Sequence, residues 1–399
     1  MRDPARTARH GLLLFAVVLL DMIGFGIVIP ILPFITPRLG GDNLDIALII
    51  AAHALGAAVA GPLWGRLSDR FGRKPILMIC TLGAAAAYVF LALADTLWAI
   101  YAARALAGIM AGNFPVASAM MADVTPPADR ARGMGLVGAA FGLGLVLGPL
   151  LGGLLAGAEG SFTVPCLLAA LMSLLAVLAA GLFLPESRPG QRRGRDTHRH
   201  GLWQTLRASR ARLLMLQYVL HSASISAVTY LFPLWVYALL DWQAREVGIV
   251  FGVVGALMAL NQGLLMGVWI RLLGELRLLR VCIGLFLAGQ VLALFAASAW
   301  AMVAALLLAL GGATVCMPIL NAMSSRRGRR EDRGRLLGVA SAAASLGRVA
   351  GPLLAGALLT FGGFRVAWAL PLVMVAAYWR WALGAGAARS AAARDTVRP

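Results

Sequence analysis

The chain contains 17 Asp and Glu residues, and Asp21 alone stands about midway along an apolar run. An acid at the centre of a membrane span costs around 2.5–3.5 kcal/mol on insertion scales, so it persists only if paired, hydrated or protonated. A carboxyl that is neutral in one state and ionised in another is what proton coupling requires. The competing reading is a fixed ion pair, with Arg104 the obvious partner; Arg104 could equally release the Asp21 proton as their separation changes. His53 and His221 sit in other apolar runs and are either titrating groups or packed, hydrogen-bonded ones. Arg348 either meets a substrate anion or carbonyl, or extends toward the membrane surface. The amides Asn113, Gln217, Asn261, Gln262, Gln290 and Asn321 also fall inside apolar runs. With Phe25, Phe114, Tyr230, Trp235 and Met258 they either line a central cavity or serve interhelical bonding and packing.

No catalytic set accompanies these groups. The sequence has no Walker loop, no GxSxG elbow and no His/carboxylate metal cluster. Cys80, Cys166, Cys282 and Cys316 are scattered without a CxxC pair and read as small buried hydrophobes rather than a disulfide frame or zinc site. The chain is therefore not expected to be an enzyme or to hold a cofactor or metal.

The elements that must position these residues follow from composition. Of 399 residues, 60% are hydrophobic and 13% charged, with mean hydropathy +0.83. A soluble domain is roughly 45–50% apolar and about 25% charged, so this is a polytopic membrane protein. Twelve apolar stretches run from 12–35 to 364–386, each long enough to cross roughly 30 Å of hydrocarbon as a helix. The first is too long for a signal peptide, carries Asp21 and lacks a cleavage site, so it is expected to remain as a span. The net charge of +18 comes from arginines gathered in alternate connections, with Lys74 the only lysine. That distribution follows the positive-inside rule rather than a nucleic-acid footprint, and places both termini in the cytoplasm. Arginine-over-lysine and alanine-rich usage hints at a GC-rich bacterium, hence an inner-membrane protein. The domain reading is a six-helix half over 1–185, an Arg-rich cytoplasmic linker over 186–212 and a second half over 213–399.

The halves repeat. Gly65 and Gly72 recur as Gly267 and Gly274, 202 positions on; Gly144, Gly148 and Pro149 recur as Gly347, Gly351 and Pro352, 203 positions on. Asp129-Arg130 likewise recurs as Asp332-Arg333. Parallel six-span repeats with a substrate path between them form one large transporter class.

Four motifs carry a resemblance. Gly65-Arg66-Leu67-Ser68-Asp69-Arg70-Phe71-Gly72-Arg73-Lys74 resembles the signature loop of the major facilitator superfamily. Leu20-Asp21 through Pro33 is similar to span 1 of the drug:proton antiporters, and Arg104-Ala105-Leu106-Ala107-Gly108 to their span 4. Gly144-x-x-x-Gly148-Pro149-x-x-Gly152-Gly153 resembles the span 5 motif of antiporters. With Leu184-Pro185-Glu186-Ser187, the first half is most similar to the tetracycline-exporter branch. The resemblance implies an all-α fold of twelve transmembrane helices in two pseudo-symmetric halves. It also implies proton-coupled export of an amphipathic small molecule by alternating access, acting as a monomer in the lipid bilayer. On it, Asp69 clasps the start of span 11, while Gly144, Gly148, Pro149 and Gly152 form a sliding face. Where the tetracycline branch carries a histidine in span 8 and an acid in span 9, this chain has Met258 and Phe286, and no acid lies inside spans 7 to 12. Tetracycline–metal export by the full coupling scheme is therefore not expected. An uptake symporter, an exporter of an endogenous metabolite such as a siderophore, and a transport-inactive sensor remain the alternatives.

Overall fold

A computed structural model describes residues 4–126, 129–156, 162–187, 209–327 and 333–395. Among these the secondary structure is helical, without strands. The helices are α1 Pro4–Val28, α2 Leu32–Arg38, α3 Asn43–Phe71, α4 Arg73–Ala92, α5 Leu97–Ile109, α6 Asn113–Val124, α7 Arg130–Leu155, α8 Thr163–Phe183 and α9 Ser209–Leu240. They continue with α10 Ala244–Leu260, a π-helical turn Asn261–Leu265, α11 Met266–Leu273, α12 Glu275–Phe295, α13 Ala299–Arg327 and α14 Arg333–Asp395. Ten helices are long and apolar enough to cross a membrane. One of these, Val339–Gly384, bends through a non-helical Gly363 (φ 69°, ψ −175°) and so supplies two spans. The stretch α10–α11 adds another, interrupted by its π turn. Twelve spans result. The linker expected over 186–212 lies largely outside the described residues.

Local chemistry sets the boundaries. Asp42 caps α3, accepting from the backbone N–H groups of Leu44 and Asp45 at 2.8 and 2.9 Å, while Asp45 accepts from Asp42 N at 2.9 Å. This reciprocal arrangement satisfies donors that a helix start leaves open. At the start of α10 the counterpart is Glu246, which accepts from Gln243 N at 2.9 Å. Gly72 alone separates α3 from α4, at φ 105°, and Gly274 separates α11 from α12, at φ 71°. The two recurring glycines thus serve the same sharp reversal, which a side chain would strain.

The fourth apolar stretch, expected to be continuous over 97–121, is broken at Met110–Gly112. Its sequence Ala111-Gly112-Asn113-Phe114-Pro115 explains why. Pro115 has no N–H to continue the ladder and disfavours helical geometry in the residue before it, so the chain restarts as α6 with proline in its first turn. The indole Nε1 of Trp64 donates to the Ile109 carbonyl at 2.6 Å across the break.

By contact density the chain divides into two units, residues 1–197 with 241–259, and residues 198–240 with 260–399. In the first, α1 packs against α6, α7 and α8, and α4 against α8. Leu14, Val18, Leu77, Val116, Met120 and Ala176 form part of its apolar core. In the second, α9 packs along α14, and α12 against α13. Large apolar side chains such as Leu182 and Phe361 point outward, 74% and 89% exposed. That inverted surface suits lipid rather than water.

Candidate functional site

Asp21 lies on α1 and is 3% exposed, the only buried acid among the described residues. Its Oδ2 accepts a hydrogen bond from Nδ2 of Asn113, the first residue of α6. Its Oδ1 is buried with no hydrogen-bond partner. Arg104 on α5, the partner in the competing ion-pair reading, is 5% exposed, and its Nε and Nη1 are without hydrogen-bond partners. Tyr88 of α4 lies within electrostatic reach of both Asp21 and Arg104. The acid is therefore held by one neutral amide, and Arg104 is not bonded to it.

Of the other expected site residues in this unit, Phe25 follows Asp21 by one turn and stacks on His53 with ring centroids 5.4 Å apart. Phe114 meets Phe141 at 5.0 Å. Asp21, Asn113, Phe25 and His53 thus belong to one neighbourhood. Tyr88, Trp64 and Phe141 join it without having been singled out in the sequence; their only signal was position inside apolar runs.

The glycine stripe of α7 packs closely on α1. A Cβ on Gly144 would meet Met22 Cβ at 2.4 Å, one on Gly148 the Gly26 Cα at 2.6 Å, and one on Gly152 the Ile27 carbonyl at 2.3 Å. These glycines therefore bring α7 against α1 just beyond Asp21. Pro149 and Gly153 face Gly248 of α10, whose own Cβ would lie 2.5 Å from the Pro149 carbonyl oxygen.

At the arginine-rich end of α3 and α4 a polar cluster centres on Arg73. Its Nη2 meets Asp69 Oδ1 at 2.6 Å, its Nε Asp123 Oδ2 at 3.1 Å, and its Nη1 donates to Ser68 Oγ at 2.6 Å. Ser68 donates to the Gly65 carbonyl at 2.8 Å. Glu186 accepts from the backbone N–H of Arg73 and of Lys74, both at 3.0 Å, satisfying two open donors at the start of α4. Arg70 stands apart, over the Phe71 ring at 5.2 Å. Asp129 is exposed ahead of α7. The Arg130 side chain, and the side chains at the start of span 11 that Asp69 was expected to clasp, lie outside the described residues.

In the second unit His221 is 1% exposed on α9, between the rings of Phe286 at 6.1 Å and Tyr378 at 5.6 Å. Neither imidazole nitrogen has a hydrogen-bond partner. Gln217, one turn before it, donates to the Leu213 carbonyl at 3.2 Å. Gln290 is fully buried with neither amide atom bonded. Arg348 donates to Ser345 Oγ at 2.7 Å. Asn321 accepts from the Tyr218 hydroxyl at 2.8 Å, and Gln262 donates to the Thr314 carbonyl at 3.0 Å. Tyr230 and Trp235 are buried and Met258 is half-buried. Of the four amides among these nine residues, Gln217 and Gln262 bond to backbone carbonyls, Asn321 to a hydroxyl and Gln290 to nothing.

One correspondence was not anticipated. Gly148 abuts the Ile23 carbonyl and its repeat partner Gly351 abuts the Ala223 carbonyl, at 2.7 and 2.3 Å for an added Cβ. Ile23 and Ala223 are 200 positions apart, as are Asp21 and His221. His221 thus occupies in the seventh span the place that Asp21 occupies in the first.

Comparison with known proteins fits this arrangement. The Major Facilitator Superfamily description matches residues 14–265 and 214–396. The class C tetracycline resistance protein of Escherichia coli is 33% identical over 362 residues, 87% of this chain and 89% of that protein. The class E protein of the same organism is 31% identical over 391 residues, 95% and 92% of the two chains. Among solved structures, the human organic anion transporter MFSD10 (TETRAN) superposes with a TM-score of 0.73 at 24% identity, over 96% of this chain and all of that one. With its twelve helical spans, two-fold repeat and intact signature loop, this chain belongs to the major facilitator superfamily and is a multi-pass membrane transporter, not an enzyme.

Proposed function

We propose that the protein exports an amphipathic small molecule across a bacterial inner membrane in exchange for protons, with both termini in the cytoplasm. The observation that carries this reading is Asp21: a carboxyl in the apolar interior, held by one neutral amide and by no cation. Such a group is costly when ionised and dry. It therefore favours taking a proton when its surroundings close and losing it when water reaches it. Arg104, buried and without hydrogen bonds on Nε and Nη1, biases the site toward proton release whenever the two approach. The Asp69–Arg73–Asp123 cluster is the cytoplasmic gate, and Glu186 fixes the helix start from which Arg73 reaches out. The six-span halves rock about a midplane site, with the 186–212 linker between them, and the protein works as a monomer.

The direction of transport rests on the span 5 glycine–proline pattern and on relatives named as tetracycline resistance proteins. Tetracycline is for that reason the first probe, beside dyes of similar size. In proteoliposomes with an imposed pH gradient, substrate should move against its own gradient, and one exchanged proton supports about tenfold accumulation per pH unit. Asp21→Asn should abolish that movement while leaving downhill counterflow measurable. Gradient-driven accumulation by Asp21→Asn equal to wild type would reject the reading. Movement of substrate in the same direction as protons would identify an uptake symporter instead.

A further inference from the structure

We propose that α6 is a relay that carries the protonation state of Asp21 to the Asp69–Arg73–Asp123 gate, with Asn113 as the positioning residue at its receiving end. The proposal rests on the proton-carrying role of Asp21 given above. It is drawn from where the two ends of this short helix are tied.

Asn113 is the first residue of α6, and Asp123 is one residue from its last. The helix between them spans about 15 Å and buries Val116, Ala117, Met120 and Met121, so it moves as one piece. At one end Asn113 is bonded to Asp21. At the other Asp123 is bonded to Arg73. The break at Met110–Gly112 frees α6 from the rest of its span, since no continuous helical ladder joins it to α5. Trp64 takes up the Ile109 carbonyl that the break exposes, on the α5 side.

The orientation of the Asn113 amide is fixed by chemistry. The backbone N–H of Phe114 can only donate, and it meets Asn113 Oδ1 at 2.9 Å. Nδ2 must therefore face Asp21, so Asn113 always approaches the acid as a donor. When Asp21 is ionised this bond is charge-assisted, roughly twice as strong as a neutral one. A proton arriving from water settles on Oδ1, the oxygen without a partner, and no bond need break to admit it. The Asn113 bond then becomes a neutral one and its hold on the start of α6 weakens. Its far end carries Asp123, so the looser state is felt at Arg73.

The groups facing Asp21 do not offer a competing route. α4 presents Tyr88 and Cys80, and beyond Tyr88 lie Arg104 of α5 and Cys166 of α8. His53 of α3 lies one turn away, on Phe25. Two of these elements also reach the gate, α3 through Ser68 and Asp69 and α4 through Arg73 at its start, but α6 is the one that is tied by a side-chain hydrogen bond to Asp21 at one end and to Arg73 at the other.

Hydrogen–deuterium exchange on the full protein in lipid nanodiscs tests the relay. Protection of the amides over 68–74, corrected for intrinsic exchange, is compared above and below the pH midpoint of transport. In wild type, protection should fall about fivefold on acidification, the change expected from weakening a charged hydrogen bond to a neutral one. Asp21→Asn should be pH-independent at the acid level. Asn113→Leu should also be pH-independent, and Asn113→Ser, which keeps a polar side chain at the start of α6 but falls short of Asp21, gives the same readout if the leucine variant does not fold. If Asp21→Asn still responds as wild type does, the proton role of Asp21 fails. If Asp21→Asn is flat while both Asn113 variants respond as wild type does, the relay is overturned and the proton role stands.

Discussion

The first and seventh spans make the same socket and fill it differently. In both, a glycine of a later span presses on a carbonyl two residues beyond a buried titratable side chain. In the first unit that side chain is a carboxyl with a bonded amide partner; in the second it is an imidazole with none. The unbonded arginine atoms of Arg104 also lie in the first unit, whereas Arg348 of the second is tied to Ser345. Duplication therefore preserved how the helices pack and let the chemistry between them diverge. A repeat in sequence is evidence of shared architecture, and only weak evidence of shared function.

The largest expected effect separates the two sockets outright. Asp21→Asn should lower gradient-driven exchange by about 100-fold, roughly 2.7 kcal/mol of barrier, with little change in melting temperature because asparagine still accepts from Asn113. An equal loss from His221→Gln would erase the functional asymmetry. Next, Arg73→Gln strips charge-assisted bonds from Asp69, Asp123 and Ser68, so unfolding in detergent should come about 2–3 kcal/mol earlier. Arg348→Gln, with one bond to a hydroxyl, should cost less than half of that, and a comparable cost would show the second unit to hold an equivalent ionic centre. Gly148→Ala and Gly351→Ala should each destabilise by about 1–3 kcal/mol, because both sockets are closed by backbone. Gly135→Ala, whose new methyl meets nothing within 4 Å, is the control and should be neutral or mildly stabilising. His221→Gln should change thermal stability by no more than about 1.5 kcal/mol, since the imidazole makes no hydrogen bond to lose.

Much of this was legible from residue types. The spans follow from the length of apolar runs, and the reversal at Gly72 from its repetition at Gly274. Asp21 stood out because an acid in hydrocarbon demands an explanation. Other features were hidden for physical reasons. Arg104 is the only arginine in the fourth span and so the obvious partner for a competing ion pair; the break at Gly112 instead delivers Asn113 to the acid. The break itself was written in the Gly-Asn-Phe-Pro sequence but masked by the apolar residues on either side. The stripe of Gly144, Gly148 and Gly152 announced close packing and not the partner, because a glycine face suits any helix that comes near. Arg73 was one cation among several in its loop, and only the fold shows that Asp69, Asp123 and Ser68 converge on it.

The π turn at Asn261–Leu265 marks a change in the spacing of the repeat. Before it, the cap acceptors Asp45 and Glu246 are 201 positions apart; after it, Gly65 and Gly267, and Gly72 and Gly274, are 202 apart. The spacing grows by one across the very segment where the helix is wider by one residue per turn. One residue more in the second copy than in the first, taken up in the π turn, accounts for both. The wider turn absorbs that residue locally, and the reversal beyond it is made by a glycine of positive φ in both copies.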